Sequence, residues 1–406
     1  MDRSPSLQTY RARWILPVTS PPIEGGYLTF SDGRLVDVST STDEASVQDL
    51  GDVALLPGLV NAHTHLEFSD LTEPLGKASH RFADWIRAVL AHRQAASESD
   101  AAGQIAAIQQ GLDESHQFGV RAIGEITTSP FSHQQQIDTK SDGVSFLELI
   151  CMSDDRIAAQ LESARQFLDR RAGPCRDWSV GLSPHAPYTA HPELVRRAVE
   201  LAKQAPCPIA MHLAETREEL ELLSAHSGPL RELLEERQFW NPVAFPRNTR
   251  PLDYLKILAA APRCLVIHGN YLQRDEIELL AIHGRSMSLV YCPRTHSYFS
   301  HEAYPLAELL NAGVRLALGT DSRASNPDLS MWSELKFAVA KHPEVHPADL
   351  LAMATVEGGA SLGTTKQRTG VDDIRNWLVA SVVVDQLKDP YGWLTDESSS
   401  IAWLRS

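Results

Sequence analysis

The stretch VALLPGLVNAHTHLE, residues 53–67, runs largely apolar and then breaks into two histidines spaced two apart, His63 and His65. Residues two apart in a strand face the same side, so both imidazoles can converge on one point where the strand ends. Two ordinary strand-end histidines would look the same, and the pair alone does not decide between these accounts. The decision comes from the chain on either side.

Seven more apolar runs follow: GVRAIGEIT (119–127), VSFLELIC (144–151), WSVGLS (178–183), CPIAMHL (207–213), CLVIHGN (264–270), SMSLVYC (286–292) and VRLALGT (314–320). Between them lie segments with apolar residues at i, i+3 and i+4, such as HRFADWIRAVLAHRQ, PELVRRAVELAKQ and PLDYLKILAA. Counting VALLPGLVNA (53–62), the alternation predicts an α/β chain folded as a (β/α)8 TIM barrel with every strand parallel. An open doubly wound sheet is the alternative, but no GxGxxG follows the first run and eight units suit closure.

Both ends of the chain read differently. RARWILPV, GGYLTF and RLVDVS are short strands, and the SDG between the last two is a hairpin signal. Beyond the helical SELKFAVAKH and ADLLAMATVEGGASLG, the tail segments WLVASVVVDQL and SIAWLRS are strand-like again. The expected organisation is a barrel over 55–365, with residues 1–54 and 366–406 pairing into one small β domain.

Composition narrows the function. Hydrophobic residues make up 43% of 406 and charged residues 22%, which supplies a sizeable core and argues against disorder. The net charge of −15, from 52 acidic and 37 basic residues, is the wrong sign for neutralising phosphates, so neither nucleic acid nor an anionic membrane is expected as partner. Cys151, Cys175, Cys207, Cys264 and Cys292 are dispersed, odd in number and form no CxxC pair. They predict reduced thiols in the cytoplasm rather than disulfides or a thiolate zinc site. MDRSPSLQTYRARW lacks the apolar core of a secretory signal, and no apolar run approaches the roughly 20 residues that cross a bilayer.

In a (β/α)8 barrel, chemistry sits where strands end and loops begin. The polar oddities fall there: His63 and His65 after the first run, His185 after the fourth, His212 and Glu215 at the fifth, His268 at the sixth and Asp321 at the eighth. With His212 as a third nitrogen and Asp321 as an oxygen, the set suits zinc or ferrous iron with a position left for water. A core histidine bonded to a carbonyl is the rival account of His212, and a helix cap that of Asp321. Glu215 can carry a proton from water to a leaving nitrogen; its rival is a surface glutamate opening the Glu-rich helix of Glu218, Glu219 and Glu221. His268 can orient the attacking water or a developing oxyanion, or be a buried structural histidine.

PGLVNAHTHLE, SPHAPYT, MHLAETREE, VIHGN, CPRTHSYF and LGTDS together resemble the amidohydrolase superfamily, in the family's order and over about Val53 to Gly363. The branch most similar holds cytosine, guanine and S-adenosylhomocysteine-type deaminases, aminodeoxyfutalosine deaminases and triazine chlorohydrolases. The resemblance implies one divalent metal, usually zinc or iron, on His63, His65, His212 and Asp321. It implies Glu215 as proton shuttle, Asp321 as general base, His268 as the group orienting water, and both His185 and Glu215 against a small-molecule substrate, with a homodimer as the default assembly. No lysine stands in GLSPHAPYT where binuclear relatives carry a bridging one. TKQRTGVDDIRNWLVAS departs from the family's C-terminal signature, and Glu125 stands where relatives often have Asp.

The expected reaction is hydrolytic deamination of an amino-substituted heterocycle or nucleoside-like compound, with amino-purines first. Hydroxide, made available at neutral pH by the metal, attacks the ring carbon and ammonia leaves. A hydrolase of another bond, such as ring C–Cl or a cyclic amide, is the alternative, and a non-catalytic binding protein a more distant one. Arg81, Phe82, Trp85 and Arg87 are further candidates for contact with substrate, but helix-face packing accounts equally for Phe82, Trp85 and Val89 and is favoured for two of these three. The segment Ser224–Pro251, with Trp240 and Arg247, is either a lid or a solvated insertion, and Arg294 and His296 are further candidate contacts. The HxE at His65–Glu67 lacks the PCxxC of the other zinc deaminase fold, since Pro174–Cys175 is not followed by a second cysteine.

Overall fold

The computed structural model describes residues 6–44, 46–77, 81–97, 101–128, 140–169, 178–363, 377–381 and 389–404. Cys175 and residues 365–376 of the atypical tail lie outside these. Eight parallel strands form one sheet in sequence order: β1 (Leu59–Thr64), β2 (Val120–Thr127), β3 (Asp142–Leu149), β4 (Trp178–Pro184), β5 (Ile209–Leu213), β6 (Cys264–His268), β7 (Met287–Tyr291) and β8 (Leu316–Leu318). Each falls on one of the eight apolar runs. The runs were nearly continuous because strands covered on both faces have no solvent side to mark with polar residues; every residue of β1 and β2 is buried.

The sheet closes between its first and last strands. Thr64 and Asp321 form a parallel bridge, and Asp321 N donates to the His63 carbonyl at 3.1 Å. Inside, Val60, Ala62, Ala122, Val144, Phe146, Ala210, Leu265, Val290 and Ala317 fill the lumen. The helices are amphipathic and pack outside: α1 (Phe82–Ser97), α2 (Ala101–Gln117), α3 (Asp154–Asp169), α4 (Pro192–Gln204), α5 (Arg217–Ala225), α6 (Pro229–Glu236) and α7 (Pro251–Leu258) lead on to others of the same kind.

The run 53–62 is two strands. Ala54–Pro57 pairs antiparallel with Trp377–Ser381 and parallel with Trp14–Ile15, whereas β1 begins at Leu59. The chain ends form two sheets: Arg34–Ser39, Tyr27–Ser31, Leu7–Arg11 and Val47–Asp49 in one, and Ser400–Trp403, Trp377–Ser381, Ala54–Pro57, Trp14–Ile15 and Ile23–Glu24 in the other. Tyr10, Ile15, Leu28, Phe30, Leu55 and Trp377 share their core. The hairpin signal lands on a two-residue turn, Asp32 at φ 48° and Gly33 at φ 77°, both positive as a type I′ turn requires.

Candidate metal centre and substrate pocket

All seven polar residues at the run ends meet at one end of the barrel. His63 Nε2 stands 3.5 Å from Asp321 Oδ1, His65 Nε2 3.7 Å from the same oxygen, and His65 Nε2 3.4 Å from His212 Nε2. Donors bound tetrahedrally at about 2.0–2.2 Å stand about 3.3–3.6 Å from one another. These spacings are therefore the size of a metal coordination shell and long for hydrogen bonds. His63 is fully buried, yet among the described residues neither of its ring nitrogens has a hydrogen-bond partner, nor does His65 Nδ1. Buried polar atoms without partners are costly; an ion at this point would satisfy Nε2 of His63 and His65. The donor set, three imidazoles and one carboxylate, fits zinc or ferrous iron.

The backbone explains why these side chains converge. Val60 and Ala62 already face the lumen, so strict alternation would send His63 and His65 outward. The register of β1 against β2 shifts between Asn61 and Thr64, and the shift turns both histidines inward. Across the closing seam, Asn61 Nδ2 donates to Thr320 Oγ1 at 2.8 Å, Thr320 N donates to Asn61 Oδ1 at 3.0 Å, and Thr64 Oγ1 donates to the Asp321 carbonyl at 2.8 Å. Ala214, His268 and Asp321 take left-handed φ values of 53°, 70° and 56°. Such conformations cost of order 1–3 kcal/mol each and gather where side chains must be aimed.

The two accounts of His212 are compatible. Its Nδ1 lies 3.1 Å from the His185 carbonyl, and that contact leaves Nε2 pointing at the other donors. Asp321 caps no helix; its Oδ2 accepts from Ser325 Oγ at 3.1 Å. Burial drives the imidazoles of His65 and His212 well below their usual range, with His63 adding to it, so they stay neutral as ligands must be. His268 is pushed down to about 3, also by burial. Burial alone would raise Asp321, but the neighbouring imidazoles of His63, His268 and His65 outweigh it and hold the carboxyl below its usual range. Glu215 moves the other way. Burial first, then the charges of Asp321 and Glu219, lift it well above the ordinary carboxylate value. Burial and neighbouring charge thus push the two carboxyls in opposite directions, Asp321 down and Glu215 up, the pattern of paired acid and base.

Glu215 Oε1 lies 3.4 Å from His268 Nε2, and both line a pocket of about 310 Å³ with His65, His185, His212 and Asp321. His185 Nδ1 is 2.6 Å from Thr189 Oγ1, which fixes its ring. Phe82, Trp85, Ile86, Val89 and Leu90 of α1 form one apolar wall; Leu233 and Leu234 of α6 with Arg237 and Phe239 form the facing one. The segment Ser224–Pro251 therefore contributes a wall, made of α6 and the turns after it. Arg81 and Arg87 do not line the pocket: Arg81 pairs with Asp84, and Arg87 ties α1 to α6 through Glu236 at 2.8 Å. Arg294 is drawn to Glu334 and Asp328, and His296 packs against Tyr291, Tyr304 and His301, so neither reaches the pocket.

Three glutamates carry roles that the sequence reading left open or gave to the surface. Glu125 Oε2 accepts the Leu66 N–H at 3.0 Å and so fixes the turn after His65. Glu219, fully buried, accepts two backbone N–H groups beside Glu215. Glu218 accepts from Phe82 N at 3.1 Å and Ala83 N at 3.0 Å, capping the start of α1. A cap is worth about 0.5–2 kcal/mol, and α1 carries a pocket wall. Glu218→Ala is expected to raise KM by roughly 2- to 30-fold with kcat within about twofold. A fall in kcat at unchanged KM would instead tie Glu218 to the chemistry.

Comparison with known proteins places the chain. A family model described as "Amidohydrolase family" matches residues 54–368. A 5-methylthioadenosine/S-adenosylhomocysteine deaminase of Moorella thermoacetica is 28% identical over 401 residues, covering 93% of this chain and 85% of the relative. The crystal structure of Helicobacter pylori aminofutalosine deaminase in complex with methylthio-coformycin superposes with a TM-score of 0.81 at 20% identity, over 97% of each chain. An adenosine deaminase from Xanthomonas campestris with bound zinc superposes with a TM-score of 0.72 at 21% identity, over 96% of this chain and 89% of that one.

Proposed function

The chain belongs to the amidohydrolase family, and from that premise we propose that it is a metal-dependent hydrolytic deaminase of an amino-purine nucleoside or a similar nucleoside-like compound. The observation that carries this reading is the convergence of His63, His65, His212 and Asp321 at one end of the barrel, with Glu215 and His268 beside them at the polar floor of a pocket whose walls on α1 and α6 are largely apolar. We assign these four as ligands of one divalent ion, zinc first and iron second. Zinc is supported by the donor set and by the zinc bound in the Xanthomonas protein.

When bound, the ion lowers the pKa of water toward neutrality and so supplies a nucleophile at pH 7. The remaining work falls to side chains. Asp321 accepts the first proton from the attacking water. His268, kept neutral, orients that water against the ring carbon and steadies the charge that develops on its oxygen. Glu215 delivers its proton to the amino nitrogen, ammonia departs, and the hydroxyl proton passes to the adjacent ring nitrogen, which leaves the ring carbon as a carbonyl; the proton held on Asp321 restores Glu215. His185 and Glu215 contact the ring, and Phe82, Trp85 and Phe239 offer aromatic surface to the rest of the substrate.

The barrel over 55–365 is the catalytic unit in this reading. The same reading assigns residues 1–54 and 366–406 to a small β domain, supported among the described residues by the pairing of Ala54–Pro57 with Trp377–Ser381 and Trp14–Ile15. Among the described residues no helix is long and apolar enough to cross a membrane. A cytoplasmic location rests on dispersed thiols, of which Cys151, Cys207, Cys264 and Cys292 are buried and outside any disulfide; a homodimer rests on the family alone.

The test is elemental analysis of the purified protein, then ammonia release across a panel of amino-purine nucleosides, free amino-purines, amino-pyrimidines and a chlorotriazine. About one equivalent of metal and ammonia from an amino-purine nucleoside are expected. Chloride release from the triazine with no ammonia from any amino compound would replace the deaminase by a chlorohydrolase.

A further inference from the structure

Glu215 reaches the pocket only because the chain turns sharply between β5 and α5, and the turn is made at Ala214, whose φ of 53° is left-handed. A residue with a Cβ does not rest there unaided. Every backbone polar atom of Ala214 and Glu215 is engaged. Glu219 Oε1 accepts from Ala214 N at 2.8 Å and Glu219 Oε2 from Glu215 N at 3.0 Å. On the opposite flank Tyr271 N donates to the Ala214 carbonyl at 3.2 Å, and Asn270 Nδ2 donates to the Glu215 carbonyl at 2.9 Å. Glu219 has no exposed surface, and its own N–H donates to Thr216 Oγ1 at 3.2 Å, which closes the start of α5 over it.

Two N–H donors side by side call for two acceptor oxygens on one group, and a carboxylate supplies both. Glutamine offers one acceptor and sets an NH2 against the second N–H. A buried donor left without an acceptor costs about 1–3 kcal/mol, comparable to the strain at Ala214. Among the described residues no second side chain accepts from either N–H.

We propose that Glu219 is a positioning residue for proton transfer: by accepting both N–H groups it holds the left-handed turn that aims the Glu215 carboxyl at the reacting centre. This rests on Glu215 being the proton carrier. Because Glu219 acts through Glu215, one of several groups that contact the substrate, and itself lines neither the pocket nor the metal centre, its loss falls mainly on the rate of the chemical step.

The experiment is a four-member cycle of the metal-loaded enzyme: wild type, Glu219→Gln, Glu215→Gln and the double variant. It is read as kcat, KM, metal content and Tm on an ammonia-releasing substrate. Glu219→Gln is expected to lower kcat by about 10- to 100-fold, the size usual for supporting contacts behind an active-site group, with KM within about twofold and metal content unchanged. In the Glu215→Gln background the same substitution should have no further effect, since effects of residues that act as a unit do not add. Full activity of Glu219→Gln, an undiminished loss in the Glu215→Gln background, or a kcat loss that follows lost metal each overturns the proposal. Full activity of Glu215→Gln would remove the proton-carrier reading itself, a separate outcome. Should Glu219→Gln fail to fold, Ala214→Gly is added to it, because glycine takes the left-handed turn without strain. Recovery of fold and of part of kcat supports the proposal, and failure to recover either overturns it.

Discussion

Glu215→Gln is expected to lower kcat by about 100- to 10,000-fold, the usual worth of a positioned acid or base, with one equivalent of metal retained and KM little changed. The expectation follows from the state of the carboxyl. Burial, with Asp321 and Glu219 nearby, lifts the Glu215 carboxyl well above the ordinary carboxylate value and so favours its proton-bearing form. Glutamine preserves the shape and the approach to His268 Nε2, 3.4 Å away, but its amide cannot give up a proton to a departing nitrogen. The leaving group supplies an internal control. Chloride needs no proton to depart, so a 6-chloropurine nucleoside should suffer a much smaller loss than its amino counterpart. Equal losses on the two substrates would mean that Glu215 does not protonate the leaving group.

The same residue marks how far the sequence could be read. The eight barrel strands were legible because burial on both faces leaves nearly unbroken apolar runs, against which His63, His65, His212, His268 and Asp321 stand out at the ends. Where two strands of different sheets abut, that contrast fails. Ala54–Pro57 and β1 read as one run because both are buried throughout and only Gly58 separates them. Convergence of the histidines depends on a register shift within β1, which a period-two pattern does not encode. Arg294 and His296 illustrate the opposite error. They follow a strand as the site residues do, but Pro293 starts a helix at once, Pro293–Tyr298, and turns Arg294 onto Glu334. Glu219 was hidden among glutamates, although it left a signal: Leu222 and Leu223 follow at i+3 and i+4 and are buried with it, so it sits on the apolar face of α5. A charged residue in that register is buried for a reason.

His63→Ala is expected to yield folded protein with little or no bound metal and with activity lower by about 1,000-fold or more, since a bound ion is worth several kcal/mol to such a reaction. His63 is the most informative of the four because it belongs to both groups of donors, with His65 and Asp321 on one side and with His212 and His268 on the other. It is also fully buried, with ring nitrogens that no hydrogen bond among the described residues satisfies, so a role in packing alone would leave a cost without a benefit. Linkage separates the two. An ion that binds only the folded chain stabilises it by about 4 kcal/mol at a thousandfold excess over Kd, so a chelator should lower the Tm of the wild type and leave that of His63→Ala almost unmoved. If His63 were merely structural, the variant would be destabilised outright and still respond to the chelator as the wild type does. A His63→Ala protein that kept a full equivalent of metal and its ammonia release would show that the ion is held elsewhere. Asp321 would then lose its account as a ligand, and the neutral imidazoles around it would have to be explained by burial alone.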